Sequence, residues 1–189
     1  MRGQKQRKVK CAIRNKKRQN ARWKQTRGEC AIRSKKQKYE GKSMIIETRA
    51  AEETFALGEK IGRAARPGQI YTLRGDLGVG KTVFTQGVAA GLNITEPISS
   101  PTFTIIQVYE EGRLPFYHFD VYRIGDIEEM EEIGYDDYFF GGGICLIEWA
   151  DLIEEILPED LIRVTIEKDL EQGFDYRRIT IEGLEDLEE

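Results

Sequence analysis

The sequence predicts an α/β fold, with a mixed, mostly parallel central sheet flanked by helices. Three observations carry this. Strand-like and helix-like segments alternate through residues 44–189. Gly143-Ile144-Cys145-Leu146-Ile147 is a continuous apolar run, the pattern of a central strand buried on both faces. A glycine-rich stretch, Gly75 to Thr82, lies between a strand pattern and a helix pattern, the place where open α/β sheets bind phosphate. Together they make the expected architecture P-loop NTPase-like.

The elements follow in order. Met44–Thr48 reads as a short strand, and Glu52–Ala65 as an amphipathic helix with Phe55, Leu57, Ile61 and Ala65 broadly on one side, stopped by Pro67-Gly68. Gln69–Arg74 is β-rich, and Lys81–Leu92 is helical. Thr104–Tyr109 and Leu114–Tyr122 flank the turn residues 110–113 and predict an antiparallel hairpin. Asp126 can cap a short acidic helix through Ile133. After the apolar run a helix is expected through Leu157, ended by Pro158. Leu161–Glu167 and Tyr176–Ile181 are two closing strands around Gln172-Gly173.

Charge divides the 189 residues into two segments. Residues 1–43 hold 17 Lys/Arg against 2 Asp/Glu, a net of +15, whereas residues 44–189 hold 12 against 31, a net of −19. The basic segment has no apolar period able to bury a face, so it is expected to be disordered. It repeats itself: Cys11-Ala12-Ile13-Arg14-Asn15-Lys16-Lys17 returns as Cys30-Ala31-Ile32-Arg33-Ser34-Lys35-Lys36. Two copies are too few for a solenoid. The segment reads as a polycationic arm for phosphate backbones, with Trp23 and Tyr39 available to stack on bases, as sequence upstream of a start at Met44, or as a targeting peptide, which its few acidic residues suit but its lack of Ser-rich amphipathic character does not. The second reading is favoured, because a complete domain pattern begins right after Met44. No apolar stretch is long enough to span a membrane, no secretory leader is recognisable, and three cysteines without CxxC spacing suit a reducing cytoplasm.

The chemistry is concentrated in Gly75-Asp76-Leu77-Gly78-Val79-Gly80-Lys81-Thr82, a full GxxxxGK[ST] match. Its glycines let backbone N–H groups turn inward around a polyphosphate, and the following helix aims its positive end at the same place. Lys81 offers a point charge to the β- and γ-phosphates, and is expected to be an exposed ligand rather than a core residue; the Thr82 hydroxyl can ligate Mg²⁺. A nucleotide site then needs a carboxylate at a neighbouring strand end. Asp120 and Glu148 each end a strand pattern and are both well placed. Glu148 ranks first because it follows the most apolar strand. Ser100-Pro101-Thr102 could supply a hydroxyl to the γ-phosphate side. His118, the one histidine, shares a strand face with Asp120 and is either a catalytic base or a hydrogen-bonded structural residue. Trp149 reads as packing or partner contact, and Cys145 as inert core.

These residues, together with Thr102-Phe103, His118-Phe119-Asp120-Val121-Tyr122-Arg123 and Leu146-Ile147-Glu148-Trp149, make residues 44–189 resemble the TsaE family, small bacterial P-loop ATPases. The resemblance implies a role in forming threonylcarbamoyladenosine at position 37 of tRNAs that read codons beginning with adenine. In that role ATP hydrolysis supports turnover of an assembly with TsaB and TsaD, and tRNA is met only through the complex. It implies that Gly75, Asp76, Gly78, Val79, Gly80, Lys81 and Thr82 bind ATP, and that Thr82 and Glu148 hold Mg²⁺. Asp120 would assist the metal or the attacking water, Thr102 would belong to a switch-like loop, and Thr54 and Arg178 would approach the adenine. Val79 stands where the family usually has alanine, which changes little because the backbone does the binding. The body's negative charge independently disfavours direct RNA contact and suits a basic protein surface. Two other readings compete. A small-molecule kinase needs a lid and an acceptor pocket, for which residues 44–189 leave little room. A nucleotide-gated binding module would bind ATP without useful hydrolysis.

Overall fold

The computed structural model describes residues 43–184; the expectations for the basic segment fall on residues 1–42, outside the described residues. Seven strands form one sheet: β1 (Met44–Thr48), β2 (Ile70–Arg74), β3 (Ile106–Tyr109), β4 (Phe116–Asp120), β5 (Ile144–Glu148), β6 (Ile162–Lys168) and β7 (Arg177–Glu182), in the order β1-β7-β6-β2-β5-β4-β3. The four central strands, β6, β2, β5 and β4, run parallel. Antiparallel β3 closes one side, and antiparallel β7 and β1 the other. The sheet is thus mixed with a parallel centre, as the alternating pattern predicts, and 104–122 does form an antiparallel hairpin.

Among the described residues four α-helices accompany it: α1 (Ala51–Ala64), α2 (Lys81–Gly91), α3 (Ile127–Ile133) and α4 (Tyr135–Phe139). Every residue of β5 is buried, as a strand covered on both faces requires. Successive β5 residues divide between two cores. Ile144 and Leu146 join the core under α1 and α2, with Tyr71, Leu73, Phe84 and Val88. Cys145 and Ile147 join the core built from Phe119, Met130, Phe139 and Ile153 on the other face.

Four local features differ from the sequence expectation. The first is the buried face of α1, which is Thr54, Gly58, Ile61 and Gly62; Phe55 and Leu57 are only half-buried. The cause is a backbone-to-backbone contact with α2. A Cβ at Gly58 would stand 2.3 Å from the Phe84 carbonyl oxygen, and one at Gly87 2.2 Å from that of Phe55. The second is the shortness of β3, because Ile105 sits at φ 65° in a tight turn that precedes it. The third lies after β5, where the expected α-helix is a 3₁₀ segment, Ala150–Ile156, broken at Ile153 and entered through Trp149 at φ 61°. The fourth is α4, five residues whose rings pack edge-on against Phe119 and Tyr117; a segment that short shows no period. The acidic helix is capped as expected: the Asp126 carboxylate accepts from the Glu128 N–H, and Glu129 reaches back to the Asp126 N–H.

Candidate nucleotide site

β2, β5 and β4 are parallel neighbours, so the loop after β2 and the last residues of β4 and β5 meet at one edge of the sheet. The loop leaves β2 through Gly75 at φ 147°, where a Cβ would stand 2.4 Å from the Ile166 carbonyl oxygen. It enters α2 through Gly80 at φ 107°, a conformation only glycine adopts easily. From the first position of α2 Lys81 folds back, its Nζ donating to the carbonyls of Gly75 at 2.8 Å and Asp76 at 3.2 Å. The Trp149 ring lies 4.9 Å from the same ammonium. Lys81 is therefore only 8% exposed, which corrects the expectation of an exposed ligand: the loop's own carbonyls and an indole enclose it.

Asp120 and Glu148 are register partners at the ends of β4 and β5 and are nearly buried. Their surroundings differ. Asp120 Oδ2 accepts from Ser100 Oγ at 2.9 Å and Thr102 Oγ1 at 2.6 Å, and Oδ1 from the Tyr122 N–H at 3.1 Å. The Asp120 N–H in turn donates to the Ile105 carbonyl at 2.9 Å, so this residue fastens the whole 100–105 loop. Glu148 Oε1 instead accepts from His118 Nε2, 3.0 Å away. His118 is fully buried and its Nδ1 has no partner, which places the proton on Nε2 facing Glu148. His118 supports the carboxylate from behind and reaches no solvent, the geometry that the hydrogen-bonded reading of this residue expects. Cys145 is buried as expected, with its Sγ donating to the Tyr138 carbonyl, and burial pushes its thiol pKa far up.

These elements enclose a cavity of about 480 Å³, a size typical of small-molecule sites. Gly78, Gly80, Lys81, Thr82, Thr102, Asp120 and Glu148 line it, so most residues singled out in the sequence converge here. Gly75, Asp76 and Val79 belong to the loop behind the lining. Thr54 and Arg178 are not among the lining residues. Thr54 is buried on α1 with its hydroxyl 2.8 Å from that of Thr48, and Arg178 lies exposed on β7 between Glu47 and Glu167. The neighbouring Arg177 is the residue that reaches the loop: its Nε donates to the Val79 carbonyl at 2.7 Å. No sequence motif marks it. Tyr122 and Trp149, whose rings are 5.0 Å apart, form the aromatic part of the wall.

Among the described residues no group of three or more His, Cys, Asp or Glu gathers into a ready cation cage. Mg²⁺ commonly takes one or two protein oxygens and completes its shell with phosphate and water. Thr82 and Glu148 suit that demand, since both face the cavity and His118 pre-aims the carboxylate. Asp120 suits it less, because both of its oxygens already accept hydrogen bonds.

The chain is similar to known proteins in sequence and in fold. The family model described as "TsaE: Threonylcarbamoyl adenosine biosynthesis protein TsaE" matches residues 48–179. The chain is 52% identical over 139 residues to the tRNA threonylcarbamoyladenosine biosynthesis protein TsaE of Bacillus subtilis, covering 74% of this chain and 85% of that protein. It is 41% identical over 123 residues to the protein of the same name from Treponema pallidum, covering 65% and 90%. The crystal structure of Bacillus subtilis YdiB superposes with a TM-score of 0.65 at 44% identity, covering 76% of this chain and 86% of that one.

Proposed function

The chain belongs to the TsaE family, and from that premise we propose that it hydrolyses ATP in the service of tRNA threonylcarbamoyladenosine formation, working with TsaB and TsaD in the cytoplasm. The observation that carries this reading is the convergence of the glycine-rich loop, Thr82 and Glu148 on one cavity at the carboxyl edge of the sheet. Loop N–H groups and the start of α2 bind the β- and γ-phosphates, and Lys81 exchanges its two loop carbonyls for phosphate oxygens. Thr82 and Glu148 would hold Mg²⁺, which when bound neutralises charge developing on the phosphate oxygens. The Glu148 carboxylate is aimed by the His118 N–H, while Asp120 positions the Ser100 and Thr102 hydroxyls over the γ-phosphate side. Tyr122 and Trp149 cover the site and restrict water. The negative body docks on a basic protein surface rather than on tRNA, and TsaB and TsaD supply that surface.

The test is phosphate release by the full chain and by its Lys81→Ala variant, with and without TsaB and TsaD, alongside threonylcarbamoyladenosine content in a strain depleted of the native protein. Wild type should release phosphate, faster with the partners, and restore the modification; Lys81→Ala should do neither. ATP binding without any phosphate release under either condition would favour the nucleotide-gated binding module. Transfer of the γ-phosphate to a small acceptor would make the protein a kinase.

A further inference from the structure

β7 lies two strands away from β2, yet Arg177 at its start extends to the loop that follows β2. Its Nε donates to the Val79 carbonyl at 2.7 Å, and one terminal nitrogen donates to the carbonyls of Phe174 and Tyr176 at 2.8 and 2.7 Å. The guanidinium is thus held by the turn just before its own strand and grips the loop at a single peptide.

That peptide matters. The Val79 carbonyl and the Gly80 N–H belong to one trans unit, so they point in opposite directions. With the carbonyl drawn toward Arg177, the Gly80 N–H is directed the other way, on the side of the cavity that Gly80 lines. A peptide followed by glycine flips readily, because glycine accepts either sign of φ, and Gly80 already stands at 107°. A flip would turn a carbonyl oxygen toward the phosphates in place of a donor. A cation on the carbonyl also polarises the peptide and makes its N–H a stronger donor.

We propose that Arg177 is a positioning residue for phosphate binding, which locks the Val79–Gly80 peptide so that the Gly80 N–H faces the polyphosphate. The inference rests on the reading that this loop binds ATP, and it predicts that Arg177 acts on the phosphate part of the ligand without touching the nucleoside.

The experiment measures binding of Mg-ATP and of tripolyphosphate to the full chain by calorimetry, for wild type, Lys81→Ala, Arg177→Met and the shorter but polar Arg177→Gln. Thermal unfolding reports on the fold of each. Both Arg177 variants should bind the two ligands more weakly by the same factor, roughly 10- to 100-fold, the loss expected for one charge-assisted hydrogen bond. Wild type binding no better than Lys81→Ala would overturn the phosphate-loop reading, and this inference with it. Wild type binding better than Lys81→Ala while folded Arg177 variants match wild type would overturn the inference alone. So would a loss confined to ATP, which would place Arg177 on the nucleoside. Nitrogen-15 spectra of the wild-type protein apply even where the variants do not fold: tripolyphosphate should shift the Gly80 N–H and the Arg177 Nε–H together. A shift at Gly80 with Arg177 Nε–H unmoved would also overturn it.

Discussion

Glu148 and Asp120 stand side by side at the same edge of the sheet, and what hydrogen-bonds to each separates their work. Glu148 is backed by a buried imidazole and ends the strand whose every residue is buried, so its carboxylate is fixed before any ligand arrives. Glu148→Gln keeps the shape but offers one donor where an acceptor is needed. We expect ATP binding to survive in part while hydrolysis falls by about 10²-fold, some 2.7 kcal/mol of transition-state stabilisation. Asp120→Asn acts differently, since it weakens two hydroxyl contacts that fasten the 100–105 loop. Amide exchange at Thr102 and Thr104 should quicken, and hydrolysis should fall less than in Glu148→Gln. Full activity in Glu148→Gln with none in Asp120→Asn would reverse these roles, and full activity in both would remove the metal site. Lys81→Ala should abolish hydrolysis and stay folded, with a melting temperature lowered by a few degrees because two loop carbonyls lose a donor.

At the scale of elements, the α1–α2 contact is the tightest in the fold and holds the helix that begins at the phosphate loop. Gly58 and Gly62 of α1 meet Gly87 and Gly91 of α2 with no room for a side chain. Arg113 adds a brace by donating to the Gly62 and Ala65 carbonyls at the end of α1, both at 2.6 Å. Gly87→Ala would place a Cβ 2.2 Å from a backbone oxygen that no rotamer can move, so the helices must separate. We expect a loss of about 3 kcal/mol, read as a lowered urea midpoint with an unchanged slope. The same contact shows what the sequence hides. The continuous apolar run of β5 and the GxxxxGK[ST] spacing are local, which is why β5, the loop and the position of Glu148 at a strand end are legible in the sequence. The glycine contact, the kinked 3₁₀ segment after Trp149 and the short α4 depend on tertiary partners, so the apolar pattern marks Ile61 and Ala65 as buried but misses Thr54, Gly58 and Gly62 beside them. Arg177 and Arg178 are neighbours on a strand and so face opposite sides of the sheet, and it is Arg177 that contacts the loop.

Across the whole molecule, the division of charge sets the last test. Every described strand and helix lies between Met44 and Glu182, and the family match spans residues 48–179. The net +15 of residues 1–43 therefore belongs to none of them. Polycations bind RNA by releasing counterions, a sequence-independent attraction that fades steeply with salt. The body, at −19, is expected to repel RNA. A protein beginning at Met44 should melt at the same temperature as the full chain, release phosphate at the same rate with TsaB and TsaD, and restore threonylcarbamoyladenosine in a depleted strain. It should differ in one respect: at low salt the full chain should hold bulk tRNA, and this binding should vanish in the shortened protein and in the full chain at a few hundred millimolar salt. Loss of modification in the shortened protein, with phosphate release intact, would show that the basic segment delivers tRNA to the complex. A lowered melting temperature would show that the segment stabilises the domain, against the expectation from its lack of an apolar face.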